Sequence, residues 1–211
     1  MVPTIYKPCA YKTPGIYNGA GGIYKGRGVY KDGAQEFVEI GGKKYLVANI
    51  NGKKWICQNL DYINTGIILN NNNNPQNVSN DPNAWYFNKD VDDKKNFGLF
   101  YNFEAVEYLE QNKNEFFPGW HVATESDYND LLTFVNNDRN LICSKEWGGI
   151  DKYNFNLLPN GICGAFWFEY YGTVAEFWGI NCDVHADINT IAVYPIANKY
   201  VGRGVRLVKD V

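Results

Sequence analysis

The chain has 211 residues, 45% of them apolar, 16% aromatic and 20% charged, a composition that suits a globular fold able to bury its own core and excludes coiled coil, collagen and bulk disorder. Its net charge of −3 gives no bulk attraction to nucleic acid. The 28 Asn and 16 Tyr favour strands joined by turns.

Charge is unevenly spread. Residues 1–31 hold Lys7, Lys12, Lys25, Arg27 and Lys31 with no acid, a sum of +5, which leaves −8 for the rest. The same stretch carries a short imperfect repeat, GIYNGAG (15–21), GIYKGRG (22–28) and GVYKDGA (28–34). Its Gly and Pro content excludes a long helix. A unit this short builds no core, so Tyr17, Tyr24 and Tyr30, with Arg27 among them, would be stranded in water. A flexible tail is the plain alternative, but linkers are usually Ser-rich and poor in aromatics. The expectation is an extended arm over residues 1–35, docked on another chain.

The opening MVPTIYKPCAYKTPG has no apolar core of the secretory kind, so no signal peptide is expected. No run of 18 apolar residues occurs, so no membrane span is expected. Cys9, Cys57, Cys143, Cys163 and Cys182 are odd in number and form no C-x-x-C pair, which points to buried free thiols in a reducing compartment rather than zinc or redox chemistry.

From Gln35 the text changes. EFVEI, Gly41-Gly42, KKYLVANI, Asn51-Gly52 and KKWICQNL spell a three-stranded meander, because both dipeptides are two-residue hairpin signals. The Asn-rich 64–84 stretch reads as one long surface loop. Asp90, Asp92 and Asp93 lack calcium-loop spacing. Leu99, Phe103 and Val106 predict a helix over 99–112. Thr124 with Asp127 three residues on predicts the start of a second, whose core stripe is Tyr128, Leu131, Leu132 and Val135. After residue 145, YNFNLLPNG, AFWFEYYG, AEFWGIN, TIAVYPI and GVRLVKD read as short aromatic strands. The fold class is therefore α+β.

Six segments in register then carry a family resemblance: KWICQNLDY (54–62), FGLFYNFEAV (97–106), PGWHVATESDYNDLL (118–132), FNLLPNG (155–161), AEFWGIN (175–181) and GRGVRLVKD (202–210). Together they resemble the Fibrobacter-type major paralogous domain (FISUMP) across about residues 36–211. The resemblance implies a C-type-lectin-like fold with its termini close in one sheet, two flanking helices and a long loop region that carries binding. Family members often have a Cys before Pro-x-Gly-Trp-His and another near the end, taken to be a disulfide. Phe117 and Leu207 stand at those places, so apolar burial replaces a bridge. Family members in bacteria usually carry export signals. Their absence, with the basic arm, points to a virion appendage of a bacteriophage, made in the host cytoplasm. Its arm would join other virion proteins, the assembly would be a homo-oligomer, and its head would meet a host-surface glycan or protein. A bacterial surface-binding module is the alternative, and an enzyme on the same scaffold a third reading.

The calcium-site triplets of C-type lectins are missing, so no metal or cofactor is expected. His121 lies inside Gly-Trp-His, where the resemblance implies a structural role. His185 sits in INCDVHADINT beside Cys182 and Asp183, an arrangement that is not diagnostic of catalysis. Arg203, in GRGV (202–205), reads as sheet packing. The ligand face is expected in the aromatic stretch after the second helix, on Trp167, Tyr170, Tyr171, Trp178, Asn181, Asp183, His185 and Asp187, some of which must be core.

Overall fold

The computed structural model describes residues 35–70, 80–87, 97–164, 168–196 and 198–211. The arm residues Tyr17, Tyr24, Arg27 and Tyr30, with Cys9, Trp167 and Asp90 to Asp93, lie outside the described residues. Residues 35–211 form a compact unit of their own.

The meander is present as β1 (Glu36–Ile40), β2 (Lys43–Ile50) and β3 (Lys53–Ile56). Its turns need left-handed backbone at both central positions. Gly41, Gly42, Asn51 and Gly52 supply it, with φ of 57°, 76°, 52° and 74°. The last strand, β14 (Leu207–Asp210), pairs antiparallel with β3 and then with β7 (His121–Val122), giving the sheet order β1-β2-β3-β14-β7. The first and last described strands thus share one sheet.

A second sheet follows the order β12-β11-β10-β13, from β10 (Ala175–Gly179), β11 (Cys182–Ala186), β12 (Ile191–Pro195) and β13 (Gly204–Val205). β4 (Ile68–Asn70), β5 (Asn83–Tyr86) and β6 (Leu99–Tyr101) make a third, and β8 (Ile162–Cys163) pairs with β9 (Phe168–Glu169). The helices are α1 (Phe103–Gln111), the single turn α2 (Lys113–Phe116) and α3 (Glu125–Phe134). The architecture is α+β, as the sequence predicts.

Period-two alternation sorts the core into two layers. Trp55 and Val208 face one side, where they meet Tyr128, Leu131 and Leu132 of α3. Ile56 and Leu207 face the other, where they meet Phe103, Val106 and Leu109 of α1. In β10, Phe177 joins the first layer and Trp178 the second. Each helix therefore covers one face of the same strands.

The capping box of α3 is complete: Thr124 accepts from Asp127 N, and Asp127 accepts from Thr124 N. The first helix departs from expectation. Leu99–Tyr101 is strand, paired with β5 through Trp85 and Phe100, and the helix begins only after Asn102. Asn102 Oδ1 accepts from Ala105 N at 3.1 Å and from Asn83 N at 2.8 Å, so one side chain caps the helix and fastens β5. The expected 64–84 loop is likewise interrupted. Ile68–Asn70 and Asn83–Tyr86 pair in parallel, and the intervening 71–79 lies outside the described residues. YNFNLLPNG contains no regular strand. Asn154 and Asn156 take φ of 58° and 55°, which a pleated strand does not allow.

Cys57, Cys143, Cys163 and Cys182 are buried free thiols. Burial pushes the Cys57, Cys143 and Cys182 thiols up to about 12. Phe117 and Leu207 are 2% and 0% exposed within one core layer.

Candidate functional site

One face of the second sheet carries an unusual density of charge. Trp178 sits opposite Asp183, and Asp183 opposite Tyr194. Glu176 sits opposite His185. Cross-strand partners share a face, so these side chains project together, with Trp178 in the second core layer, while Phe177, Cys182 and Val184 join the first. Arg203 arrives from the residue before β13, which runs parallel to β10.

Arg203 is the hub. Its Nε donates to Glu176 Oε2 at 2.9 Å, and its Nη2 lies 3.3 Å from Asp183 Oδ2. The guanidinium stacks on Trp178, with Cζ 4.3 Å from the ring centre. The other Glu176 oxygen, Oε1, meets His185 Nδ1 at 2.6 Å. Both oxygens of Glu176 are therefore used. The backbone beneath is held by Asn160, whose amide donates to Glu176 O at 3.0 Å and accepts from Glu176 N at 3.1 Å, copying a strand neighbour.

Above this network lies an open, shallow concavity of about 620 Å³. Glu176, Asp183 and Arg203 line it with His185, and Tyr194, Pro195 and Ile196 form an apolar wall. The carboxylates and Arg203 are nearly buried, whereas Tyr194 is 48% exposed. The His185 and Tyr194 rings stand edge to face at 6.5 Å. Among the described residues no group of three His, Cys, Asp or Glu side chains is placed to hold a metal ion. No helix among them is long and apolar enough to cross a membrane.

The expected ligand residues do not converge. Asp183 and His185 line the concavity. Trp178 is fully buried, spends its indole N–H on Tyr101 O at 2.7 Å and supports Arg203 from below, so it offers no face for stacking. Asn181 is exposed in the β10–β11 turn at φ 65°. Asp187, beyond the far end of β11, builds a turn by accepting from Asn189 N and Thr190 N, and these amides hold its carboxyl below the usual range. Tyr170 is 59% exposed with φ of 58°. Tyr171 packs 4.6 Å from Phe87 and 5.5 Å from Phe97 in a separate cluster. The two tyrosines follow β9 in a turn rather than alternating along a strand.

Glu176, Tyr194 and Arg203 complete the site and were not among the expected residues. Glu176 carries a detectable signal: it is the one charge in AEFWGI, two residues before Trp178, hence on the same face in a strand. Arg203 is more than sheet packing, because its guanidinium is the bridge between both carboxylates. No family model, curated protein or solved structure matches the chain.

Proposed function

We propose that this protein is a non-enzymatic binding component of a bacteriophage virion. Residues 36–211 would form a C-type-lectin-like head, and residues 1–34 an arm that attaches it to the particle. The observation that carries the binding reading is the concavity itself. It is open and shallow, its buried charges are already paired with one another, and an exposed aromatic stands beside them. The arrangement is short of a nucleophile. Cys182 points to the core side of β11, and burial pushes its thiol up to about 12. A preorganised polar floor with an aromatic wall suits recognition.

The lectin-like reading is supported by where the motif residues fall. Asn59, Asn102, Asn160 and Arg206 are buried polar fasteners, and Trp55 and Trp178 are core. Such positions define a scaffold. Production in a reducing cytoplasm is supported by the four buried free thiols and by Phe117 and Leu207 packed where the resembled family has cysteines. The attachment role of the arm rests on its Gly/Tyr repeat and its charge of +5. A chain lacking residues 1–34 is expected to fold yet to be missing from purified particles, checked by sedimentation and gel analysis. Normal incorporation of that truncated chain would overturn the attachment role.

A further inference from the structure

We infer that the concavity takes a neutral, hydroxyl-bearing sugar ring. This deepens the binding reading above and rests on it. The argument begins with charge. The lining holds two carboxylates, Glu176 and Asp183, against one guanidinium, Arg203, and one imidazole, His185. With a neutral imidazole the lining sums to −1 and with a charged one to zero, so an anionic ligand gains no attraction there. A cationic ligand would compete with Arg203 for carboxylates it already bridges. A neutral ligand meets neither obstacle.

The polar groups left over narrow the chemistry. Arg203 Nη1 is closed to solvent and among the described residues has no acceptor, so it adds no contact for a ligand in the concavity. His185 uses Nδ1 on Glu176, which leaves Nε2 as the ring's second polar atom. A carboxylate oxygen has two lone pairs, so Glu176 can accept more than its two bonds. With Nδ1 donating to Glu176, Nε2 accepts when the imidazole is neutral and donates when it is charged, and a hydroxyl is the neutral group that serves either state while donating to a carboxylate. Beside them Tyr194, Pro195 and Ile196 give an apolar wall against which the C–H face of a ring can lie. A volume of about 620 Å³ lies within the size range of small-molecule sites. Hydroxyl groups edgewise and an apolar face flatwise describe a pyranose.

The chain has only two histidines, which makes the test direct. His185 lines the concavity, whereas His121 is bound to Asp127 on the other sheet. The full chain is titrated into the millimolar range with methyl glycosides of glucose, galactose, mannose and N-acetylglucosamine, while both imidazole resonances are followed by NMR. Methyl glucuronide and a capped Gly-Ser-Gly peptide are the comparison ligands. The expected result is a saturable shift of His185 with at least one neutral glycoside and none of His121. Tyr194→Ala should weaken that response at least about tenfold, and Tyr194→Phe should retain it. An unmoved His121 resonance reports that the variants keep their fold. No His185 response to any of the four glycosides would overturn the proposal, as would a stronger response to the glucuronide or the peptide. Loss of host adsorption in Tyr194→Ala without any sugar response would overturn the sugar assignment alone and leave the binding reading standing.

Discussion

Replacing Arg206 by alanine is expected to cost on the order of 3–5 kcal/mol, because it strips buried acceptors of their donor and empties a packed site. Arg206 is 0% exposed. Its Nε donates to Asn59 Oδ1 at 2.8 Å, Nη1 donates to the carbonyls of Ile56 and Phe155 at 2.9 Å each, and Nη2 donates to Asn156 O at 3.0 Å. One guanidinium therefore ties β3, the turn after it and the irregular 155–156 segment to the last strand. It also lies 4.8 Å above the Phe155 ring. Burial lowers its pKa to about 10, so it stays charged at neutral pH. Truncation leaves three buried acceptors and one half-buried acceptor without a donor, each buried one costing about 1–3 kcal/mol if it finds no water. Arg206→Lys should recover only part of the loss, because one ammonium cannot reproduce the planar fork. The check is the urea midpoint of each variant at unchanged slope.

Asp127 is the second sensitive point, and its effect depends on pH. The carboxylate accepts from Lys53 Nζ at 2.6 Å, Thr124 Oγ1 at 2.7 Å and Thr124 N at 2.8 Å, and lies 3.1 Å from His121 Nε2. Burial pushes its pKa up, but the bonds from His121, Lys53 and Thr124 outweigh burial and hold the carboxyl well below its ordinary value. A depressed folded-state pKa stabilises the fold at pH above the unfolded value, about 3.9, and that contribution is lost as pH falls through the folded value. Asp127→Asn is expected to lose about 2–3 kcal/mol at neutral pH, the scale of a hydrogen-bonded charge. The gap between wild type and variant should hold above about pH 5 and narrow steadily below about pH 4. A gap that stays constant down to low pH would show that the carboxylate's charge contributes nothing.

What the sequence reveals here is local. The hairpins are legible because Gly41-Gly42 and Asn51-Gly52 meet a backbone demand that few other pairs meet. The helix α3 is legible because its cap and its stripe lie within twelve residues, 124–135. The boundary between β6 and α1 is hidden because Leu99, Phe100 and Tyr101 are all buried, so the strand shows no alternation to set against the helical spacing of Leu99, Phe103 and Val106. In the site, Asp183 and His185 are visible as an i, i+2 pair on one strand. Arg203 is 27 residues from Glu176 and reaches it through the parallel pairing of β10 with β13, a contact no local pattern announces. Trp178 misleads for the same reason: its role as the floor under Arg203 depends on a layer assembled from distant strands.

Adsorption of particles to host cells tests the proposed virion binding head most directly. Particles are compared that carry the wild-type chain, Tyr194→Ala, His185→Ala or Tyr170→Ala, each confirmed to be folded and incorporated. Tyr194 and His185 line the concavity, while Tyr170 is exposed beyond it. The account predicts an adsorption rate at least about tenfold lower for Tyr194→Ala and His185→Ala, as expected when a central contact is truncated, and an unchanged rate for Tyr170→Ala. Wild-type adsorption in both concavity variants, or a loss confined to Tyr170→Ala, would contradict it.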